Sequence, residues 1–130
     1  MDSLKFKLDK FYTDILETMN IEKFDEHFSP DCQIEINGVV FDEKAFKQRM
    51  VWLKENMKKV TVEVLDCFAG SDPSRITDLH LSIAVDREDV EHRVLVMQQS
   101  VLDEQGRIKR FFDISRILSA DKETEVHIAK

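Results

Sequence analysis

The residue of this sequence best suited to proton chemistry is Asp113, within the C-terminal stretch GRIKRFFDISRIL (106–118). The stretch is typical of a β-strand, and large apolar residues such as Phe112 and Ile114 surround the carboxylate. A carboxylate turned toward an apolar interior loses hydration, and its pKa rises unless a cation pairs with it. A carboxyl group that titrates near neutral pH can take up and release a proton, as a general acid/base must. Asp113 is therefore a candidate catalytic residue if its strand turns it inward.

The orientation of Asp113 is predicted by counting outward from two turns. Two-residue turns centred in DRED (86–89) and DEQG (103–106) place Val96 opposite Asp113, on the same face of the sheet. This face collects large apolar side chains, which indicates that it lies beneath the helices. A shift of one residue at the second turn would turn Asp113 outward, so both orientations stay open and the inward one is predicted. The face is predicted to carry Leu79, Leu81, Ile83, Val94, Val96 and Gln98.

Two other polar residues could act on the oxygen of a substrate. Gln98, beside Asp113 on the predicted inner face, could donate an amide hydrogen bond to a developing oxyanion. Tyr12, on the apolar face of the first helix, could add its hydroxyl group. Each also has a structural alternative, because a buried amide is usually hydrogen-bonded and a helical tyrosine often packs in the core.

The periodicity divides the chain into a helical half and a strand-rich half. Apolar residues recur at helical spacing over about residues 1–19, 20–28 and 42–58, with Asn20 and Asp42 as N-caps. A short strand precedes the third helix, and four strand-like runs follow Lys59. Helices followed by an antiparallel meander are typical of an α+β fold, with three N-terminal helices packed on one face of a curved sheet.

The space between the helices and the sheet is predicted to bind a small, mostly apolar ligand. Four scattered histidines form no recognisable metal-binding set, and neither a metal nor a cofactor is expected. Asp78 and His80 are predicted to form a polar patch on the outer face of the sheet. Besides the candidate catalytic residues, the predicted lining consists of Phe46, Met50, Trp52, Leu79, Leu81, Val96, Phe111 and Ser115.

The composition and charge of the chain argue against some classes of binding partner and predict its cellular compartment. The 130 residues fit one domain, predicted over 1–118, with a polar tail over 119–130. The net charge of −7 argues against nucleic acid and anionic membranes as partners. The charged N-terminus has no secretory pattern, and no stretch of 18 apolar residues occurs. A cytoplasmic location with reduced Cys32 and Cys67 is therefore expected.

The outer face of the sheet is also rich in apolar side chains. So large an exposed apolar surface is unusual on a monomer, and burial against a second copy is the simplest explanation. A homodimer with twofold symmetry through the outer sheet face is predicted. The apolar residues assigned to this face are Leu95, Met97, Val101, Ile108, Phe112 and Ile114.

The segments FSPDCQIEING (28–38) and DEQGRIKRFFDISR (103–116) resemble motifs of the nuclear transport factor 2-like superfamily, and within it the SnoaL-like proteins. The resemblance spans about residues 4–118. It implies a cone-shaped, cystatin-like α+β barrel, and dimerisation through the outer sheet face is common in the superfamily. The superfamily includes polyketide cyclases, ketosteroid isomerase, epoxide hydrolases, dehydratases and non-catalytic dimers.

The resemblance also implies residue roles. Asp113 matches a catalytic acid/base of the cyclases and epoxide hydrolases, with Phe111 in the place of their tryptophan. Arg116 replaces a second aspartate of that segment. In ketosteroid isomerase, Tyr12 and Gln98 match the two oxyanion-hole residues, whereas Ile36 occupies the place of the proton-abstracting aspartate.

Two functions remain open at this level. One is a cofactor-independent isomerase, cyclase or dehydratase, in which Asp113 moves protons while Tyr12 and Gln98 polarise an oxygen. The other is a non-catalytic ligand-binding or dimerisation module whose phenylalanine rings fill the interior. The first requires an open cavity that reaches Asp113, and the second a filled one. The identity of the ligand does not follow from the sequence.

Overall fold

The computed structural model describes residues 2–119, with the backbone alone at positions 2, 3, 6 and 119. Apart from Ser119, the predicted tail over 119–130 lies outside the described residues. No helix of the described part is long and apolar enough to cross a membrane. The helices are α1 (Asp2–Tyr12), α2 (Phe24–His27) and α3 (Glu43–Asn56), and the strands are β1 (Phe28–Ile36), β2 (Val39–Phe41), β3 (Met57–Ala69), β4 (Arg75–Asp86), β5 (Glu91–Leu102) and β6 (Ile108–Ser119).

Local capping explains where the helices begin and end. The first helix continues past Tyr12 as a π-helical turn, Thr13–Glu17, and a short 3-10 helix then leads into α2. The side chain of Asn20 accepts a hydrogen bond from the Glu22 amide at the start of this 3-10 helix. The side chain of Asp42 caps α3 by accepting one from the Ala45 amide. Both predicted N-caps are confirmed.

The six strands form one sheet in the order β2-β1-β6-β5-β4-β3. All neighbouring pairs are antiparallel except β1 and β6, which run parallel. The β1–β2 turn has Asn37 at φ 49° and Gly38 at φ 81°, a backbone that suits these two residue types. The α+β class predicted from the sequence is confirmed, with a short extra strand, β2, that the sequence analysis missed.

Aromatic rings fill the part of the core near the start of β1. Phe24 and Phe28 stack with ring centroids 4.4 Å apart, and both are buried. Phe11, Phe46 and Phe111 pack around Phe28 at centroid distances of 5.7 to 6.0 Å. These five rings stabilise the contact between the helices and β1 and β6.

The β4–β5 hairpin corrects one prediction. Asp86 and Val90 close a three-residue loop, in which Asp89 adopts φ 65°. The carboxylate of Asp86 accepts hydrogen bonds from the amides of Glu88 and Val90, which stabilises the longer loop. Leu81 therefore pairs with Leu95 rather than with Val94. This shift of one residue reverses the faces of β4.

The reversal changes which side chains of β4 enter the interior. Asp78 and His80 are buried, at 1% and 2% exposure. Leu79 and Leu81 lie on the opposite, outer face, since side chains alternate along a strand. The predictions of an inward Leu79 and Leu81 and of an outer Asp78–His80 patch were therefore wrong.

The β5–β6 hairpin departs twice from the predicted pairing, and together the two departures leave the faces of β6 unchanged. Asp103 and Arg107 close a three-residue loop with Gly106 at φ 81°, and a bulge then follows between the pairs Leu102–Ile108 and Val101–Arg110. Each departure shifts the pairing by one residue. Asp113 thus lies opposite Gln98 rather than Val96, two residues from the predicted pairing. A shift of two preserves the face, so Asp113 still points inward.

The bulge also affects two residues assigned to the outer face. Val101 and Ile108 are 8% and 6% exposed, and Ile108 packs in the core cluster. A bulge interrupts the alternation of side chains, so residues beside it do not follow the pattern of the rest of the strand. The assignment of Val101 and Ile108 to the exposed outer surface was wrong.

Candidate functional site

One row of side chains crosses the inner face of the sheet and contains both inward carboxylates. Its members are cross-strand neighbours from β3 to β1, in the order Cys67, Asp78, Gln98, Asp113 and Ile36. Adjacent strands are separated by 4.7–4.9 Å, so the backbones at Asp78 and Asp113 are roughly 10 Å apart, with Gln98 between them. The row places two acidic groups beneath the helices.

A cavity of about 70 Å³ lies over this row. This volume exceeds several-fold the ~10–15 Å³ that one water molecule needs, and it is smaller than the ~150 Å³ of an engineered cavity that binds benzene. It fits a ligand of a few non-hydrogen atoms. The lining consists of Phe11, Tyr12, Ile15, Leu16, Ile36, Phe46, Arg49, Leu53, Val60, His80, Ser82, Ala84, Val94, Val96, Phe111, Asp113 and Ser115.

Asp113 reaches the cavity as a carboxyl group that is poorly compensated by hydrogen bonds. Burial raises the pKa of Asp113 to about 7; the positive charge of Arg49 lowers it and the charge of Asp78 raises it. Its Oδ1 atom is buried and makes no hydrogen bond with another residue that the structure describes. Near neutral pH this group exists in both protonation states, which suits an exchange of protons with a ligand.

Arg49 is a charged lining residue that the sequence analysis missed. Burial lowers the pKa of Arg49 to about 10, which leaves the guanidinium charged at neutral pH. The residue lies three positions after Phe46 and four before Leu53, so all three share one face of α3. The helical spacing contained this signal, but only the apolar members of the face were assigned to the interior.

A buried hydrogen-bonded network holds Asp78 behind the cavity. Nδ1 of His80 lies 2.6 Å from Oδ1 of Asp78, and the Tyr12 hydroxyl donates to Oδ2 at 2.7 Å. The Tyr12 hydroxyl also contacts the side-chain amide of Gln98, which in turn bonds the Ser100 hydroxyl. Burial and the charge of Asp78 raise the pKa of Tyr12 well above its ordinary value, so Tyr12 stays neutral.

The network changes the roles that the sequence suggested for Tyr12 and Gln98. Both were predicted to polarise the oxygen of a substrate. The Tyr12 hydroxyl has a single hydrogen, which is donated to the Asp78 carboxylate. The Gln98 amide is bonded to Tyr12 and Ser100 and lies outside the cavity lining. In this geometry the Tyr12 hydroxyl is bonded to Asp78, and the Gln98 side chain is bonded to Tyr12 and Ser100 rather than to Asp78.

The predicted ligand-binding residues fall into two groups. Phe46, Val96, Phe111 and Ser115 line the cavity together with Tyr12 and Asp113. Met50 is buried in the core instead, and Trp52 packs against the cluster around Met19 and Leu53. Met50, Trp52, Leu79 and Leu81 are absent from the cavity lining found among residues 2–119.

Asn37 attaches β1 to β6 beside Asp113. The Asn37 backbone amide donates to the Asp113 carbonyl at 3.0 Å. Its side chain donates to the Ser115 hydroxyl at 2.7 Å and accepts from the Ser115 amide at 2.8 Å. These bonds fix β6 at Asp113 and at Ser115, two residues further along the strand. Within the described part of the chain, no group of three or more metal-binding side chains was found.

Comparison with known proteins identifies the fold. No protein-family model matches the chain, and no curated protein is a detectable relative. Solved structures do match. A candidate SnoaL-like polyketide cyclase from Shewanella denitrificans matches with a TM-score of 0.70 at 8% identity, over 88% of this chain and 89% of that one.

Two further matches have different chemistries in their names. The epoxide hydrolase/cyclase-like enzyme SalBIII, described with pyran ring formation in salinomycin, gives a TM-score of 0.70 at 14% identity, over 88% of this chain and 92% of its own. A protein with a ketosteroid isomerase-like fold from Catenulispora acidiphila gives a TM-score of 0.65 at 9% identity, over 79% of this chain and 80% of that one. The chain has the nuclear transport factor 2-like fold, as its resemblance implied. Fold alone does not determine the reaction.

The raised pKa of Asp113 predicts an unusual dependence of stability on pH. A folded-state pKa above the unfolded one contributes stability that is complete below about pH 4 and is lost as the pH rises through about 7. At 1.36 kcal/mol per pKa unit the loss amounts to at most about 4 kcal/mol. We expect Asp113→Asn to be more stable than the unsubstituted protein at pH 8, with a smaller difference at pH 4, by urea unfolding.

Asp103→Asn provides the control, because this aspartate lies in the turn of the same hairpin. Hydrogen bonds from the amides of Arg107 and Gln105 lower the pKa of Asp103, so its stabilisation is present at neutral pH and is lost on acidification. The two substitutions should therefore have opposite pH dependences. Parallel pH dependences would contradict the assignment of Asp113 as a buried carboxyl with a raised pKa.

Asn37→Gly tests whether the contact between β1 and β6 controls the surroundings of Asp113. Glycine retains the positive φ but removes both side-chain bonds to Ser115, so we expect a loss of about 1–3 kcal/mol of unfolding free energy. Water entering beside β6 should also bring the pKa of Asp113, measured by carboxyl-carbon NMR, closer to its ordinary value. Ser115→Ala, which keeps one of the two bonds, should have a smaller effect. An unchanged pKa in Asn37→Gly would refute the role of Asn37.

Proposed function

We propose that the cavity binds a small carbonyl compound and that Asp113 exchanges a proton with it, in a cofactor-independent isomerisation or cyclisation. The observation that carries this proposal is the buried, unbonded Oδ1 atom of Asp113 at the cavity, in a carboxyl group with a pKa of about 7. A permanently buried carboxyl with no hydrogen bond at one oxygen is costly to fold, and such costs are typical of functional sites.

The chemistry follows from the charges that face the cavity. As a carboxylate, Asp113 takes a proton from a carbon next to a carbonyl group; the C–H bond breaks and an O–H bond forms on Asp113. The electron pair passes to the carbonyl oxygen, and the positive charge of Arg49 on the facing helix stabilises the resulting enolate. Return of the proton to another carbon completes an isomerisation. Alternatively, the enolate carbon attacks a second carbonyl: the C–C bond closes the ring, the first carbonyl is restored, and Asp113 returns its proton to the alkoxide formed from the second carbonyl.

The size and lining of the cavity support a small, largely apolar ligand. Most of the lining side chains are apolar, and the polar ones cluster around Asp113, Arg49 and His80. A volume of about 70 Å³ fits a short chain or a five-membered ring better than a multi-ring compound. The matched proteins whose names refer to cyclase chemistry support the same class of reaction.

The second candidate function, a non-catalytic module, is favoured by the aromatic part of the interior. Three of the five packed rings, Phe11, Phe46 and Phe111, also line the cavity, so aromatic side chains occupy much of the space that a ligand would need. In this case the cavity would be a small packing defect and the function would depend on the surface. A test of proton transfer separates the two functions.

Exchange of the α-hydrogens of cyclopentanone in D₂O, followed by proton NMR, is the direct test. This ketone is small and largely apolar, and it has both a carbonyl oxygen and enolisable C–H bonds. We expect the protein to accelerate exchange above the buffer rate, and Asp113→Asn to lower the acceleration about 10²–10⁴-fold, the usual contribution of a general base.

Asp103→Asn is the matched control, because this carboxylate lies in the β5–β6 turn and outside the cavity lining. Its exchange rate should equal that of the unsubstituted protein. Exchange that is as fast with Asp113→Asn as with the unsubstituted protein would exclude Asp113 as the base. Absence of any acceleration together with absence of ketone binding would favour the non-catalytic module.

We also propose a homodimer through the outer sheet face. Leu79, Met97 and Ile114 are cross-strand neighbours on this face, and Met97 and Ile114 are 56% and 55% exposed. The corrected pairing of β4 enlarges the apolar surface, because it adds Leu79 and Leu81. An apolar surface of this kind is typical of a subunit interface.

Sedimentation velocity tests the dimer. We expect a species of twice the 15.3 kDa mass of one chain, and a monomer after Ile114→Glu, because the new charge would be buried without a partner. Val51→Glu, at an exposed apolar position on α3, should leave the dimer intact. A monomer at micromolar concentration of the unsubstituted protein would disprove the interface.

The thiols support a reducing compartment, and we propose the cytoplasm. Cys32 and Cys67 are both free, and Cys67 is buried. Burial raises the pKa of both thiols, which keeps them protonated and unreactive. Neither thiol is therefore proposed as a nucleophile.

A further inference from the structure

A second ionisable side chain, His80, faces the same cavity as Asp113. Its ring lines the cavity, is 2% exposed and stacks at an angle on Tyr12 with centroids 4.4 Å apart. Its Nδ1 atom is bonded to Asp78 at 2.6 Å, whereas Nε2 makes no hydrogen bond with another residue that the structure describes. Nε2 is therefore the nitrogen that a ligand can reach.

The partners of His80 determine which proton it can transfer. Because a carboxylate only accepts hydrogen bonds, Nδ1 carries the hydrogen that faces Asp78. Tyr12 donates to the other oxygen of Asp78, so this carboxylate is held on both sides. A carboxylate fixed in this way orients an imidazole and stabilises its imidazolium form, in which Nε2 also carries a proton.

We infer that His80 is a second proton-transfer group, which donates the Nε2 proton to the carbonyl oxygen of the ligand while Asp113 removes the proton on carbon. This inference rests on the proposed function of the cavity. The Nε2–H bond breaks and an O–H bond forms on the ligand; the C–H bond breaks and an O–H bond forms on Asp113. The product is a neutral enol, and the reverse transfers at a second carbon complete the isomerisation.

The inference requires an ionised Asp113, so the exchange rate should rise as the pH increases through the pKa of this carboxyl. The charged and titratable groups that face His80 are Tyr12 from α1, Arg49 from α3, Asp78 from β4 and Asp113 from β6. Of these, Asp113 ionises near neutral pH and accounts for this rise.

His80→Gln tests the inference in the cyclopentanone exchange assay. Glutamine can still donate a hydrogen bond toward Asp78, but it cannot be protonated. We expect the maximum rate to fall about 10–100-fold, while the rise with pH due to Asp113 remains. Asp78→Asn, which removes the carboxylate that orients the ring, should lower the rate with His80 still present.

His27→Gln is the matched control, since Nε2 of His27 pairs with Asp14 at 2.8 Å but does not line this cavity. It should leave the rate and the pH profile unchanged. If His80→Gln kept the full rate, the inference would be wrong and the role of Asp113 would stand. If Asp113→Asn kept the full rate, the proposed function itself would fail.

Nitrogen-15 NMR of the imidazole rings gives a readout that does not need turnover. Addition of cyclopentanone should shift the Nε2 resonance of His80 and the carboxyl carbon of Asp113, and leave His27 unchanged. A shift at Asp113 with none at Nε2 of His80 would overturn the inference. No shift at either residue would overturn the proposed function, together with the inference that depends on it.

Discussion

The burial of two carboxylates in one row of the sheet is the constraint on which the rest of the interior depends. Asp78 is compensated by the Tyr12 hydroxyl and by His80, so its charge has partners fixed by α1 and by its own strand. Asp113, opposite Gln98 in the same row, has one buried oxygen without a hydrogen bond and a pKa of about 7. Two carboxylates in such different surroundings can serve different purposes, one structural and one chemical.

The α+β class, the N-caps and the inward position of Asp113 were predictable because they depend on local patterns. The orientation of β4 was not, since it depends on a three-residue loop stabilised by the Asp86 carboxylate. One face of β4 has polar or small side chains, which is typical of a solvent-exposed face: Asp78, His80, Ser82 and Ala84. Its burial is explained by the hydrogen bonds that Asp78 makes in the interior. Asp113 was placed correctly because a longer loop and a bulge each shifted the pairing by one residue.

Arg49 shows a different limit of pattern analysis. Hydrophobic periodicity finds the apolar members of a helix face, and a charged residue on that face is assigned to the surface by default. The positive charge is nevertheless what makes an ionised Asp113 tolerable, because Arg49 is the cation that lowers the pKa of this carboxyl. A charged residue that has the spacing of core residues in a helix can therefore indicate the partner of an inward acid on a facing strand.

The network around Asp78 also limits which hydrogen-bond donors of the interior a ligand could use. Tyr12 and Gln98 match oxyanion-hole residues in the sequence resemblance, yet their polar groups are bonded to Asp78 and Ser100. Under the proposed function, Arg49 and His80, which both line the cavity, would stabilise the oxygen of the ligand. Because the fold alone does not determine the reaction, the chemistry that this cavity could perform depends on the facing elements, β4 and α3, as well as on the strand with the acid.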